Sequence, residues 1–593
     1  MKRLYILTAI TLLFTASCKK DFLDVKPLDK FSDEAVWKDP ALIQTFVNNI
    51  YLGIPHGFSN IMMSSMVDET TYNADFGTSN VTKSLLTPSD YGIFDMSYWT
   101  GNRQRGMNWE FVYKAIRSAN VFFANINNAT FANEADRNRM KGEVYFLRGY
   151  LYQNLVSMYG GVPIITKPYG LADDFTIARD TYANSISYIV GQLDSAAALL
   201  SVTPSEKGRA SKGAALALKS RVLLYAASDL YNNEAAWAGG AQKELVGYVG
   251  GDRTARWQAA LDAAKAVIDL NAFSLFKENP APAESTAKNY ADLFIARETP
   301  EDIFVRFFTP KIDENWDGYN PGLYNTPNGW HGWGSNTPIG QMVDAYEMAD
   351  GSQFDWNNAT HKAQPYSNRD PRFYASINYD GAVWRPRPSD VATKDPLGII
   401  QTAYFEKPDG TVTPGLDTRN SPIEDWNGTY TGYYMRKFID PTLDAQFVKQ
   451  DVPWRFIRYT EVLLNYAEAA IELGMEAEAK TYLNKIRKRA GMPDITESGA
   501  ALEARYRNER RIELAFEDHR YFDVRRWMIA PIAYEDAQGV SIRTKVDNSG
   551  NVISRTYTVI MAQDRDWKPR FYFFPIKLDE INRNNKLVQN PLY

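Results

Sequence analysis

A single cysteine, Cys18, stands in 593 residues. The chain can form no internal disulfide, and no pair of thiols is available to a zinc site. Histidine is nearly as scarce: His56, His331, His361 and His519 lie far apart without an HExxH pair, so the common helical zinc-hydrolase pattern is missing. Neither a GxSxG elbow nor a GxxxxGK[ST] loop occurs, which removes two familiar signatures of nucleophilic serine and bound nucleotide. No catalytic residue, metal site or cofactor is expected. The net formal charge is -5 and no run of Lys and Arg interrupts it. Without a basic stripe to neutralise phosphates, no nucleic-acid partner is expected either.

Aromatic residues are abundant by contrast. Phe, Trp and Tyr make up 13% of the chain, with 36 Tyr and 14 Trp, enough to fill a core and leave rings over for recognition. The N-terminus, "MKRLYILTAITLLFTASCKK", has a basic start, an apolar run over residues 4–14 and small residues before Cys18. That run is too short to span a bilayer, and the pattern is that of a secretory signal. Cys18 at the cut site resembles the acylated cysteine of a bacterial lipoprotein, since several acyl chains give stable anchoring. Residues 1–17 then form a signal peptide. Their removal takes Lys2 and Arg3 away and lowers the net charge from -5 to -7.

After a tether over 18–32, apolar residues recur at helical spacing: Leu42, Ile43, Phe46, Val47 and Ile50, then Trp109, Val112, Tyr113 and Ile116, then Val144, Leu147, Leu151 and Leu155. Further amphipathic stretches lie near 182–200, 211–231 and 256–270. The small residues Ala214, Ala215 and Ala217 suit close helix contact. A mostly α fold follows, a degenerate tetratricopeptide-like array over 33–271 whose spacing is too uneven for a strict 34-residue period. From 272 to 450 the texture turns to loops, short β runs and most of the Gly, Pro, Asn and Trp, an insertion expected to pack on the scaffold. Helices return over 451–593. In the last of these regions Arg510, Arg511, Glu513, Glu517, His519 and Arg520 follow one another at steps of three and four, which predicts ion pairs across the turns of one helix.

Within the insertion, "NTPNGWHGWGSNTP" holds Trp330 and Trp333 among Gly, Asn, Ser and Pro. No periodic element explains these rings; either the loop folds inward or something from outside lies on them.

The segments "MYGGVPIIT", "MVDAYEMADG", "RDPRFYASINYDGAVW", "TGYYMRKFID", "RYTEVLLNYAEAAIELG", "RNERRIELAFEDHRYFDVRRW" and "FPIKLDEINRNNKLVQNPLY" resemble, in this order and spacing, landmarks of the SusD/RagB family of outer-membrane nutrient-binding lipoproteins. The resemblance runs nearly end to end. It implies a helical array with an irregular ligand face, no catalysis, a lipid anchor at the cell surface, and a SusC-like TonB-dependent transporter as partner. A glycan is the implied ligand. Peptide import by the same architecture is the alternative, and a glycoside hydrolase with two carboxylates is a weaker one. Stacking of sugar C–H faces on indole or phenol rings, with amides and carboxylates at the edge, points to Trp330 and Trp333 with Asn328, His331 and Asn336. Tyr98 and Trp99 form the expected second wall. Asp68, Glu69, Tyr72, Asn73 and Asp75 make a further polar cluster, whereas Trp109 belongs to a core stripe.

Replacing Cys18 by Ala should release the protein from the membrane fraction and abolish incorporation of a labelled acyl chain; cell fractionation with acyl labelling measures both.

Overall fold

In a computed structural model the described residues are 33–94, 107–170, 172–233, 243–309 and 320–593. Cys18, the tether, and the loop residues Tyr98 and Trp99 lie outside them, as do Trp316 and Tyr319.

Helix α1 (Pro40–Tyr51) starts where the Asp39 carboxylate accepts the Ala41 amide, with Pro40 in the first turn, where no partner for its missing N–H is needed. It buries Ile43, Val47 and Ile50. Asn108 caps α2 (Trp109–Asn125) and Asn133 caps α3 (Glu134–Tyr159), each through its side-chain oxygen. Trp109 is buried on the α2 stripe, as the spacing predicts. The C-terminal half of α3 is buried on every side because α1, α2, α4 (Tyr182–Leu199) and α5 (Lys212–Ala227) all pack on it. It stops at Gly160 (φ 73), where a Cβ would sit 2.4 Å from the Leu245 carbonyl oxygen. Buried Ala214, Ala215 and Ala217 bring α5 close to its neighbours.

Beyond α6 (Arg253–Ile268) comes the short α7 (Thr286–Ile295), but the next partner of α6 in space is α8 (Tyr459–Glu472). Helix α9 (Glu476–Ala490) follows on α8, and α10 (Gly499–Glu513) also packs there. The array thus passes directly from α6 to α8, and the mostly α fold expected from periodicity is what forms. Outside the helical array the chain makes strands. β1 (Thr70–Tyr72) pairs with β3 (Asn336–Pro338), β2 (Asp302–Arg306) with β8 (Trp454–Arg458), and β4 (Ile377–Asn378) with β7 (Tyr434–Met435), all antiparallel. A four-stranded sheet runs in the order β10 (Val552–Gln563), β9 (Ala537–Val546), β5 (Tyr404–Glu406), β6 (Val412–Pro414).

The charged run at 510–520 behaves differently from its sequence expectation. Helix α10 ends at Glu513, and Phe516 (φ 64) and Asp518 (φ 66) turn the chain before α11 (Arg520–Arg526). The side chains therefore cannot pair across successive turns and reach other segments instead. Glu513 accepts from Arg458 at 2.8 Å, from Arg372 at 3.0 Å and from Arg489. Glu517 takes Arg458 at 2.7 Å and Lys437 at 2.8 Å. Glu301 takes Arg458 and Arg489, and Glu509 takes Arg372 and Arg487. Asp370 holds Arg372 from its other side, while Glu347 binds Arg487 and Arg505. Five arginines and one lysine thus meet six carboxylates, nearly all out of water. Burial opposes ionisation of Glu513, but Arg489, Arg458 and Arg372 hold its carboxyl well below the usual range. Burial brings the Lys437 ammonium down to about 8 against the pull of Glu517.

Removing one member leaves its partners charged and unpaired in the interior. Glu513→Ala should cost about 3–5 kcal/mol of unfolding free energy, read from urea denaturation. Lys265→Ala, which breaks an exposed pair with Asp269, should leave the transition where it is.

Candidate functional site

The loop at 325–338 folds inward. Residues 327–330 make a tight turn that His331 closes in the left-handed region (φ 57). Trp330 is 1% exposed, against Ala382, Trp384, Ile400 and Ile439. Its indole N–H donates to the Pro386 carbonyl at 3.1 Å, and the Arg387 guanidinium lies 3.4 Å from the ring centroid. Arg387 is itself clamped by Asp417 and Asp395 at 2.8 Å each. This corrects the stacking expectation for Trp330: a desolvated cation already occupies the ring face that a sugar would use. Trp333 is half-buried, with its ring tilted on Tyr324 at 5.3 Å.

The amides expected at the rim are interior as well. Asn328 donates to the Thr418 and Glu424 carbonyls at 3.1 and 2.5 Å and accepts from the Tyr434 hydroxyl at 2.8 Å. Asn336 accepts from the Met62 amide and the Ser65 hydroxyl and donates to Asn60 and Asn325, each at 2.9 Å. Both side chains spend their hydrogen-bonding capacity on the protein. Asp68 is buried under a bidentate Arg520 (2.8 and 2.7 Å) and Arg511 (3.0 Å). Burial resists its ionisation, yet these guanidiniums draw its carboxyl down to about 2. Next to it burial lifts Glu69 to about 8. As expectations of direct contact, Asp68, Asn328 and Asn336 are corrected, because a buried, saturated polar group has no free donor or acceptor to offer.

Tyr72 falls at the edge of a cleft. Its hydroxyl accepts from Asn60 at 3.1 Å, and burial raises it to about 12. The cleft, about 470 Å³, runs from Tyr72 and Asn73 past Lys83 to Arg419, Trp426 and Tyr430. Trp426 is 65% exposed and Tyr430 is 45% exposed. Arg419 joins them, its guanidinium 4.4 Å from the Tyr430 centroid and 5.9 Å from that of Trp426. It is held in place by Asn73 Oδ1 at 3.0 Å and by the carbonyls of Trp426 and Gly428. The charges balance locally: Lys83 pairs with Asp564 at 2.6 Å, and Asp75 spends its carboxylate on the Ser79 amide and hydroxyl at 2.7 and 2.8 Å.

Trp426 and Tyr430 were not singled out by sequence. Their setting, "IEDWNGTYTG", shares the Asn, Gly, Thr and Trp of the Trp330 loop, so composition flags both loops and ranks neither. A second groove of about 570 Å³ lies between α2 and residues 163–177. There Lys114 and Arg583 are paired with Glu110 and Glu580, and Arg117 is held by the Tyr169 carbonyl; the Trp109 ring on its wall is buried, whereas the other cleft presents Trp426 and Tyr430 together to solvent. Among the described residues no three His, Cys, Asp or Glu side chains gather as metal ligands.

A helical scaffold that carries an aromatic, hydrogen-bonding cleft on an irregular insertion defines a ligand-binding class of protein. Comparison with known proteins specifies it. Residues 300–593 match the model of the SusD family, and residues 21–224 match a related model described as starch-binding associating with outer membrane. The chain belongs to the SusD/RagB family. It is 23% identical to SusD-like protein P25 of Formosa agariphila, over 91% of this chain and 92% of that one. A SusD-like protein of Bacteroides fragilis superposes with a TM-score of 0.73 at 27% identity, covering 96% of this chain and all of the other. A SusD-like carbohydrate binding protein of the same species shares the fold at 23% identity, with a TM-score of 0.69, 93% of this chain and all of that one.

Trp330→Ala should lose about 3–5 kcal/mol of folding stability, because a filled core site becomes a cavity. Thermal and urea unfolding of the variant measure it, and an unchanged transition would mean the ring is not packed as described.

Proposed function

We propose that this protein is a cell-surface lipoprotein that binds a glycan in the Trp426–Tyr430 cleft and delivers it to a SusC-like TonB-dependent transporter in the outer membrane. The observation that carries the binding half is the pair of exposed rings beside a fixed Arg419 and the Asn73 side chain. Pyranose C–H faces stack on such rings, while amide and guanidinium groups bond to hydroxyls at the edge. The lining cations each face an anion or carbonyl, so the cleft suits a neutral, hydroxyl-rich chain better than a polyanion.

The residues marked in the sequence keep a part in this reading. Tyr72 and Asn73 line the cleft. Asn328 positions the rings from behind, since it ties down the backbone at Thr418 and Glu424, just before Trp426. Asn336 lies opposite Tyr72 in the β1–β3 ladder, and Asp68, two residues before β1, is held by Arg511 and Arg520. Trp333, Tyr98 and Trp99 stand as further stacking candidates. Family membership supports the glycan, as do the carbohydrate-binding relative and the outer-membrane association in the name of the matched model. The lipid anchor rests on Cys18, and the transporter partner on the family resemblance. No helix among the described residues is long and apolar enough to cross a membrane.

Calorimetry against a panel of neutral oligosaccharides should find a binder, and Trp426→Ala should weaken it by about 1–3 kcal/mol, the scale of base stacking on aromatic side chains. The melting transition should shift by no more than a surface change allows, within about 0.5 kcal/mol. A Trp426→Ala variant that binds the same glycan as tightly as the parent would overturn this cleft as the site.

A further inference from the structure

Three consecutive residues take left-handed backbone at the edge of the Trp426 cleft: Asp75 (φ 61), Phe76 (φ 38) and Gly77 (φ 88). Glycine does so freely and aspartate tolerates it, but a bulky phenylalanine there is a steric outlier. Its neighbours hold the turn in that shape. Asp75 Oδ1 accepts from the Ser79 amide at 2.7 Å and the Thr78 hydroxyl at 2.9 Å, and Oδ2 accepts from the Ser79 hydroxyl at 2.8 Å. The Phe76 amide donates to the Ala74 carbonyl at 2.9 Å. Core packing does not account for the strain. The Phe76 ring is 45% exposed and belongs to neither apolar core cluster of the described residues; its centroid lies 5.9 Å from that of Tyr72 at a tilt of 43°. One exposed apolar side chain is ordinary on a surface. One held out on strained backbone beside a cleft points to something outside that it meets.

Tyr72, against which the ring leans, and Asp75 and Ser79, on either side of it in the turn, all line the cleft together with Arg419, Trp426 and Tyr430. We propose that Phe76 is a further stacking ring of this cleft, meeting a sugar unit beyond the one held at Trp426 and Tyr430, so that the site reads a chain of several units. The inference rests on the reading of the cleft as the glycan site. Phe76 has no hydrogen-bonding group, so it meets only the apolar C–H face of a sugar and adds affinity without choosing among hydroxyl patterns. Tyr72 sets the attitude of the ring, and the Asp75 clamp orders the turn before a ligand arrives. A ring ordered in advance loses little freedom on binding. The consequence is a dependence on length: an oligomer too short to reach Phe76 gains nothing from it.

The test is calorimetry on the full chain with maltooligosaccharides and laminarioligosaccharides from disaccharide to octasaccharide. Phe76→Gly should weaken the longest oligomers at least about fivefold, the lower end of stacking on an aromatic side chain, and leave the shortest oligomer that binds unchanged. Phe76→Tyr should recover the long-chain affinity. Because glycine takes positive φ at no steric cost, Phe76→Gly should also melt at or above the parent temperature. A marked fall in melting would mean that the ring packs rather than binds, and equal losses at every length would overturn the separate contact. Trp426→Ala separates the two readings. If it weakens the oligomers while Phe76→Gly weakens none, the cleft stands and this ring is no part of it; if it weakens none, or if no oligomer binds, the cleft reading itself fails and this inference falls with it.

Discussion

Glu513 is held by three guanidiniums that come from three different parts of the chain, Arg372, Arg458 and Arg489. Taking a carboxylate this far from water is costly unless every partner arrives, and the same holds for Arg458 between Glu301, Glu513 and Glu517. The network therefore penalises any arrangement in which a segment is missing. Its members span Glu301 to Glu517 and include residues of the insertion, Glu347, Asp370, Arg372 and Lys437. Hydrophobic residues of the same volume could match it in net stability, but a greasy surface would not specify which segment meets which. Charge and geometry together dock the irregular insertion on the helical array in one position.

The cleft inherits that position through short physical links. Arg511 on α10 and Arg520 on α11, which flank the network, grip Asp68. Asp68 leads into β1, and β1 ends at Tyr72, on the cleft wall. β1 pairs with β3, which closes the Trp330 loop. From the other side Arg387 ties Trp330 to Asp417, and Asn328 holds the Thr418 carbonyl, so the segment carrying Arg419, Trp426 and Tyr430 leaves the core at a defined point. The exposed rings of the cleft are presented by buried polar groups, the same groups that sequence inspection marks as candidate ligand contacts. Polar residues in an aromatic loop carry one composition whether they bind or brace.

Helices were legible for a local reason. Apolar spacing of three and four, with Asp39, Asn108, Asn133 and Ser211 as caps, depends only on neighbours within a turn. Trp109 was assigned to the core on that basis, and it is buried there. The charged run at 510–520 shows where local reasoning stops: the spacing suits ion pairs along a helix, but left-handed turns at Phe516 and Asp518 redirect the side chains to distant residues, such as Arg489, 24 positions from Glu513, and Asp68, 452 positions from Arg520. Separations of that size leave no trace in a periodic pattern.

By itself the sequence determined the mostly α array, which is written in short-range spacing, and the family, which is carried by landmark segments in order along the chain. Which loop turns outward was decided only by tertiary structure. "NTPNGWHGWGSNTP" and "IEDWNGTYTG" offer the same kinds of residue, yet Trp330 is sealed beneath Arg387 while Trp426 stands in solvent. The difference lies in a cation 57 residues downstream of Trp330 and the two aspartates that clamp it, partners that meet only once the chain has folded.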